Sequence, residues 1–336
     1  MEPSVIDSFF TALSGKKILV VGDVMIDSYV WGKVERISPE APVPIVSVLK
    51  REQRLGGAAN VALNLLSLGA EPILCGLIGN DSGQQLFGRL MQDSGLKTEG
   101  IFIAHDRPTT VKTRIIGGKQ QLLRIDEETS HPVNGRFEQD FLEHVQRLCE
   151  QNNFDAIIFQ DYDKGALTPS IISMVTDYGL QKRIPVLVDP KRRNFMAYRG
   201  VTLFKPNFKE FCEGLKIELD KDDREGIFRA AVRFLSEQQI QYLLLTLSER
   251  GVMLIDINQY HAIPAHVRDI ADVSGAGDTV ISVAALCMAA GMTPYQAASL
   301  ANLAGGLVCE KVGVVPITRQ MLEKELHIWK SFDRLE

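Results

Sequence analysis

One recurring pattern limits the fold more than any other: short apolar runs ending at a polar residue, alternating with segments of helical apolar spacing. Residues 17–22 (Lys-Ile-Leu-Val-Val-Gly) form such a run and are followed by Asp23. Residues 71–77, 155–159, 185–189, 201–204 and 242–246 repeat it. Helical spacing occupies 60–68, 82–94, 136–151, 169–182 and 222–238. A continuous apolar run reads as a buried strand. Strands alternating with helices predict an α/β fold around a mainly parallel sheet. Ligands bind at the carboxyl ends of strands in such sheets, and Asp23, Asp161, Asp189 and Asn207 each follow a strand.

Two stretches break the rhythm. Residues 41–49 are extended and proline-rich, and 109–116 with 121–125 flank Gly117-Gly118 like a β-hairpin. They predict a small sheet, a lid from about 33–55 and 105–126, beside a single main domain spanning 1–336. A sheet with one apolar face needs a cover, either substrate or a second subunit, so a homodimer through this lid is expected. From Thr279 to about Lys330 the chain reads as nearly all helical.

Composition adds exclusions. With 336 residues, 45% hydrophobic, and a formal charge of −5, the chain can bury a large core and has no global attraction to nucleic acid or anionic membranes. Five cysteines without a CxxC pair suggest free thiols in a reducing compartment. No apolar run precedes Lys16-Lys17 and none approaches membrane-spanning length, so a cytoplasmic protein is expected.

The chemistry concentrates at 272–278, Asp-Val-Ser-Gly-Ala-Gly-Asp, which opens a long apolar helix. Small residues at a helix start let free N–H groups face a ligand, and the helix dipole favours an anion there. Asp278 lies in the first turn and can reach the same spot. A carboxylate beside an anion hole suits phosphoryl transfer: it accepts the attacking hydroxyl's proton while amides hold the moving charge. Alone, the loop fits equally well as a glycine-rich turn with a capping aspartate. A second cluster, Gly56-Gly57-Ala-Ala-Asn60, opens helix 60–68 and allows close backbone approach to a ligand, with Asn60 able to bind a sugar hydroxyl.

Together the two clusters resemble the signatures of the ribokinase (phosphofructokinase-B) family of carbohydrate kinases. Gly56, Gly57, Asn60, Gly69 and Gly79 match the first; 272–278 match the second, with Val273 in place of threonine. Val283 stands where most members have a small residue. The resemblance implies a doubly wound sheet with a β-lid. It implies Asp278 as base and Gly275, Ala276 and Gly277 as anion hole, with Asp272 opening the same loop. Asn207 and Glu210 would lie near the ATP phosphates and Mg²⁺, Glu210 acting on the metal indirectly. Thr246 and Gly251 would belong to the nucleotide loop, Asn302 would approach adenine, and Asp23 would hold sugar hydroxyls. Some members bind a monovalent cation near the anion hole; the sequence leaves this open.

Further segments narrow the resemblance: 22–27 with Asp27, 36–44 starting at Arg36, 161–167, 188–191 and 198–201. This set is similar to the kinases of D-glycero-β-D-manno-heptose 7-phosphate in lipopolysaccharide precursor synthesis, which phosphorylate the anomeric hydroxyl. A phosphorylated substrate needs cations. Lys112, Arg114, Arg124, Lys164, Lys191 and Arg192 are candidates, with Lys164 and Lys191 favoured because both follow strands. Any one of them also reads as a solvated surface charge. Bifunctional heptose enzymes carry a nucleotidyltransferase domain with a His-x-Gly-His motif. None of the six histidines here makes that pattern, so this domain is expected to be absent. The run 189–194, Asp-Pro-Lys-Arg-Arg-Asn, is more basic than theirs. Two alternatives remain: a family kinase for another sugar, sugar phosphate or nucleoside, and a non-catalytic sugar- or nucleotide-binding regulator. No GxGxxG follows a strand and no GxxxxGK[ST] occurs, which disfavours a dinucleotide dehydrogenase and excludes a P-loop kinase.

Overall fold

The computed structural model describes residues 3–118, 120–266 and 268–328. The chain opens with α1 (Pro3–Leu13) and β1 (Lys17–Gly22), then two long strands, β2 (Val24–Ile37) and β3 (Pro44–Gly57). Next come α2 (Ala58–Ser67), β4 (Glu71–Gly79), α3 (Ser82–Asp93) and β5 (Ile101–Ala104). The hairpin β6 (Val111–Gly117) and β7 (Gln120–Glu127) leads into α4 (Gly135–Gln151). The alternation resumes with β8 (Ala156–Gln160), α5 (Pro169–Lys182), β9 (Val186–Asp189), β10 (Leu203–Phe204), α6 (Phe208–Leu215), α7 (Arg224–Gln238) and β11 (Tyr242–Thr246). After β12 (Val252–Ile255) and β13 (Tyr260–Ile263), three helices close the chain: α8 (Ala276–Ala289), α9 (Pro294–Val308) and α10 (Arg319–Ile328).

Nine strands form one sheet in the order β13-β12-β11-β10-β9-β8-β1-β4-β5. It is parallel except at one edge, where β12 pairs antiparallel with β11 and with β13. Within β1, Ile18 and Val20 face one apolar core while Leu19 and Val21 face the other. The first core takes α1, α2, α3, α8, α9 and α10; the second takes α4, α5, α6 and α7. Burial on both faces explains why these strands read as continuous apolar runs. Strand β1 lies between β4 and β8, so the strand order reverses there, and a crevice opens at the carboxyl ends of β1 and β8.

The second sheet, β3-β2-β6-β7, is the lid. It begins at Val24, earlier than the expected 33, because β2 runs unbroken from the crevice into the lid. The helical expectation for the C-terminal part holds only in pieces, since 309–318 are non-helical and residues 329 and 330 lie outside the described residues. Strand β5 and the β12-β13 edge, too short or too polar to stand out as apolar runs, escaped the sequence reading.

Candidate active site

Asp278 sits in the first turn of α8 and is 4% exposed. Its Oδ2 accepts from Asn60 Nδ2 at 2.7 Å, and its Oδ1 accepts from Gln160 Nε2 at 3.1 Å and from the Tyr162 hydroxyl at 2.7 Å. A carboxylate oxygen offers about two lone-pair sites. Oδ1 is therefore filled, and Oδ2 keeps one site for an incoming hydroxyl. Burial pushes the Asp278 carboxyl up to about 6, Asn60 and Tyr162 oppose that rise, and the Asp189 charge adds to it. Such a group is ionised at neutral pH yet basic enough to take a proton.

The two glycine clusters meet at the start of α8. Gly275 caps α8 at φ 81°, a left-handed conformation, with no side chain closing the helix end. A Cβ on Gly275 would lie 3.0 Å from Asn60 Nδ2, which shows how closely the two glycine clusters meet. The Ala276 N–H is already bound to the Val273 carbonyl at 3.3 Å, so this member of the expected anion hole is engaged within the loop. Lys205 Nζ lies 3.5 Å from where a Cβ on Gly277 would be, and pairs with Asp189 Oδ2 at 2.9 Å. Asp272 clamps the loop by accepting from the N–H groups of Ser274 and Gly313, both at 2.9 Å.

Opposite this helix start, Gly57 adopts φ 59° and a Cβ there would fall 2.4 Å from the Asp23 carbonyl oxygen, so only glycine fits. Gly56 packs against the Asp27 carboxylate, where a Cβ would come within 2.2 Å of Oδ2. Asp27 pairs with Arg114 Nη1 at 2.5 Å, and the Arg54 and Arg114 guanidinium groups each lie 5.4 Å from the Tyr29 ring centre. Arg54 also donates to the Val314 carbonyl at 2.8 Å, tying the lid base to the loop beside Gly275.

Asn207 and Glu210 form a reciprocal capping box at the start of α6, with 2.9 Å bonds in both directions. Thr246 lies beside Asn207 through a parallel bridge. Glu210 also pairs with Lys191, whose ammonium lies 5.5 Å from the Tyr162 ring centre. Gly251 turns the chain at φ 87° before β12, against the Ile263 carbonyl. Asn302 donates to the Pro264 carbonyl at 2.8 Å, fixing that same segment.

The structure sets the sugar-side candidates in different surroundings. Asp23 was expected to hold sugar hydroxyls. Its carboxylate instead accepts backbone N–H groups of Tyr162 (2.8 Å), Lys164 (3.0 Å) and Ala166 (3.0 Å), so it anchors the loop that carries Tyr162. Arg36 is exposed near the far end of β2, nine residues beyond Asp27 and so about 30 Å along the strand. That sets it apart from the Asp27 end of the strand, which borders the crevice. Lys191 stands with Glu210, among the residues read as nucleotide-side. Lys112 and Lys164 converge on Glu128, at 2.6 and 2.7 Å, and remain candidates as a pair. Arg124 binds Asp126 and Arg192 is exposed.

The sequence reading missed Gln160, Tyr162 and Lys205 as site residues. Each sits at the end of a strand, as Asp189 does, and that position was the available signal.

Mg²⁺ is usually held by one or two carboxylates together with substrate phosphates. Among the described residues no cluster of three potential ligands occurs, and Glu210 is held in its capping box and by Lys191. An ion carried by the nucleotide would need no such cluster. Bound there, Mg²⁺ would neutralise charge on the transferred phosphoryl group.

Residues 15–320 match the pfkB family carbohydrate kinase pattern. The Bifunctional protein HldE of Helicobacter hepaticus is 39% identical over 317 residues, covering 94% of this chain and 64% of that protein. The Bifunctional protein HldE of Citrifermentans bemidjiense is 40% identical over 330 residues, covering 97% of this chain and 66% of its own length. The chain thus spans about two thirds of these relatives. Among solved structures, the phosphofructokinase-2 of Escherichia coli in complex with potassium superposes with a TM-score of 0.74 at 15% identity, covering 92% of this chain and 97% of that one. Arabidopsis thaliana ribokinase complexed with ribose and ATP gives 0.71 at 17% identity, with coverage of 93% and 99%. These two likenesses concern the fold. With its family signatures meeting at Asp278 in a ribokinase-like α/β fold, the chain belongs to the pfkB family of carbohydrate kinases.

Proposed function

We propose that this ATP-dependent sugar kinase phosphorylates the anomeric hydroxyl of D-glycero-β-D-manno-heptose 7-phosphate, giving the 1,7-bisphosphate for lipopolysaccharide heptose precursors. The observation that carries the kinase chemistry is the Asp278 carboxylate at the α8 start, with one acceptor site left on Oδ2 and Lys205 beside the same helix turn. The similarity of most of this chain to about two thirds of proteins named Bifunctional protein HldE supports the heptose substrate. In this reading the hydroxyl proton moves to Asp278 Oδ2 as the new O–P bond forms and the bond to ADP breaks. The free N–H groups of the α8 start and Lys205 hold the charge on the moving phosphoryl. Asp27 and Asn60 orient the sugar, and Lys112 with Lys164 receive its existing phosphate. The nucleotide lies over Asn207, Thr246 and Gly251, with adenine towards Asn302.

A coupled ADP-release assay over phosphorylated and unphosphorylated sugars tests the substrate. Lys164→Met is expected to raise KM for the sugar phosphate by about tenfold or more with little change in KM for ATP, since a charge-assisted contact is worth that much. Equal effects on both would argue against the phosphate role.

We also propose a homodimer through the lid. Val34, Ile37, Val48, Leu49, Leu123 and Ile125 are exposed there, apolar side chains that a second copy would cover. Leu49→Asp combined with Leu123→Asp is expected to turn a dimeric sedimentation profile at micromolar concentration into a monomeric one. A wild-type chain that already sediments as a monomer would contradict this.

A further inference from the structure

We propose that Gln160 is a positioning residue for the base: its side-chain amide ties Asp278 to the Asp189–Lys205 pair and keeps Oδ1 occupied, so that Oδ2 alone meets the substrate hydroxyl. This rests on the reading of Asp278 as the base. A single nitrogen, Gln160 Nε2, donates to Asp278 Oδ1 at 3.1 Å and to Asp189 Oδ2 at 3.2 Å. Asp189 Oδ2 also takes Lys205 Nζ at 2.9 Å, and that ammonium lies beside Gly277 in the first turn of α8. The chain of contacts therefore runs from the phosphoryl side, through Lys205, Asp189 and Gln160, to the base. The residue is held at the end of β8 between β1 and β9, and its backbone carbonyl accepts from the Asp23 N–H at 3.0 Å. Gln160 is 1% exposed, and its own Oε1 has no hydrogen-bond partner among the described residues. Buried polar atoms are rarely left so. Two carboxylates fix which way the amide points, at the expense of its acceptor, since a flipped amide would set oxygen against oxygen. The amide thus keeps its donor between two acids.

Charged and titratable groups facing Asp278 are Tyr162, Asp189, Lys205 and, further off, Lys191. Gln160 is the neutral link among them. Removing it takes a donor from the charged form of Asp278, which disfavours that form.

The test is the acid limb of kcat/KM for the sugar, measured for the wild type, Gln160→Met and Gln160→Glu, with KM for ATP recorded alongside. The limb is expected to move up by about one pH unit in Gln160→Met, the equivalent of a tenfold change in proton affinity, and further in Gln160→Glu, which adds an acid between two others. KM for ATP should stay within about twofold, since the Gln160 amide bonds Asp278 and Asp189 and not the nucleotide-side Asn207, Thr246, Gly251 or Asn302. A limb unmoved in either folded variant, or a loss of activity equal at every pH, would overturn the proposal. If Gln160→Met does not fold, the near-isosteric Gln160→Glu decides. An Asp278→Asn enzyme with near-normal turnover would instead remove the base assignment itself, and so separates the two failures.

Discussion

Asp278→Asn is expected to lower kcat by about 10²- to 10⁴-fold while leaving ATP binding largely intact, the range typical of a lost general base. The asparagine keeps the volume of the side chain and its oxygen can still accept from Tyr162 or Gln160, while its amide nitrogen faces Asn60, whose own amide must turn to accept. In the wild type, burial sets the carboxyl at about 6, so kcat/KM should fall tenfold per pH unit below that value and level off above it. The sign follows from the role: a base works only when deprotonated, and acid removes the working form. The same burial acts on stability. A carboxyl whose folded value lies above its unfolded one binds more protons when folded, so its penalty is absent below about pH 4 and complete above about pH 6. Asp278→Asn should therefore compare more favourably with the wild type in thermal unfolding at pH 8 than at pH 4.5. Turnover of Asp278→Asn close to the parent's would end the assignment.

Lys205→Met carries the second large effect. Lys205 and Asp189 pair at 2.9 Å with side chains only 4% and 8% exposed. Removing one partner of a buried pair leaves an uncompensated charge and costs about 3–5 kcal/mol. The Lys205 charge also lowers the proton affinity of Asp278, so the acid limb should shift upward in the same variant. Adding Asp189→Leu should restore most of the stability, because an apolar pair of similar volume is often as stable as a buried ion pair. Turnover should not return with it, since the cation beside the α8 start is still missing. Denaturant unfolding of the three proteins, with their pH profiles, separates the two roles. A single variant that loses less than about 1 kcal/mol would contradict the account of this pair.

The sequence made the strands of the main sheet legible because burial on both faces removes alternation and leaves plain apolar runs. Helix α8 was legible because it is apolar on all sides, packed between the sheet, α2 and α9. Gly57 could be named because the backbone demands glycine there, and Asp278 and Asn60 because both stand in the two family-like signatures. Long-range pairing was harder to see. The three N–H groups that occupy Asp23 come from a loop about 140 residues away, and nothing local to Asp23 announces them. Lys191 was read by its position after a strand, but its partner Glu210 lies on another element. Arg36 carries a family-like motif, yet the length of β2 sets it far from the crevice. Gln160 looks like an ordinary strand end until the fold brings two carboxylates to its amide.

The central claim is phosphoryl transfer from ATP to the anomeric hydroxyl of a phosphorylated heptose, with Asp278 as base. Its most direct test is phosphorus NMR of a reaction containing the enzyme, Mg·ATP and D-glycero-β-D-manno-heptose 7-phosphate. The account predicts ADP together with a second sugar phosphorus signal coupled to the anomeric proton, and no such signal with Asp278→Asn. ADP formation only with unphosphorylated sugars, or a new phosphate on another carbon, would contradict it.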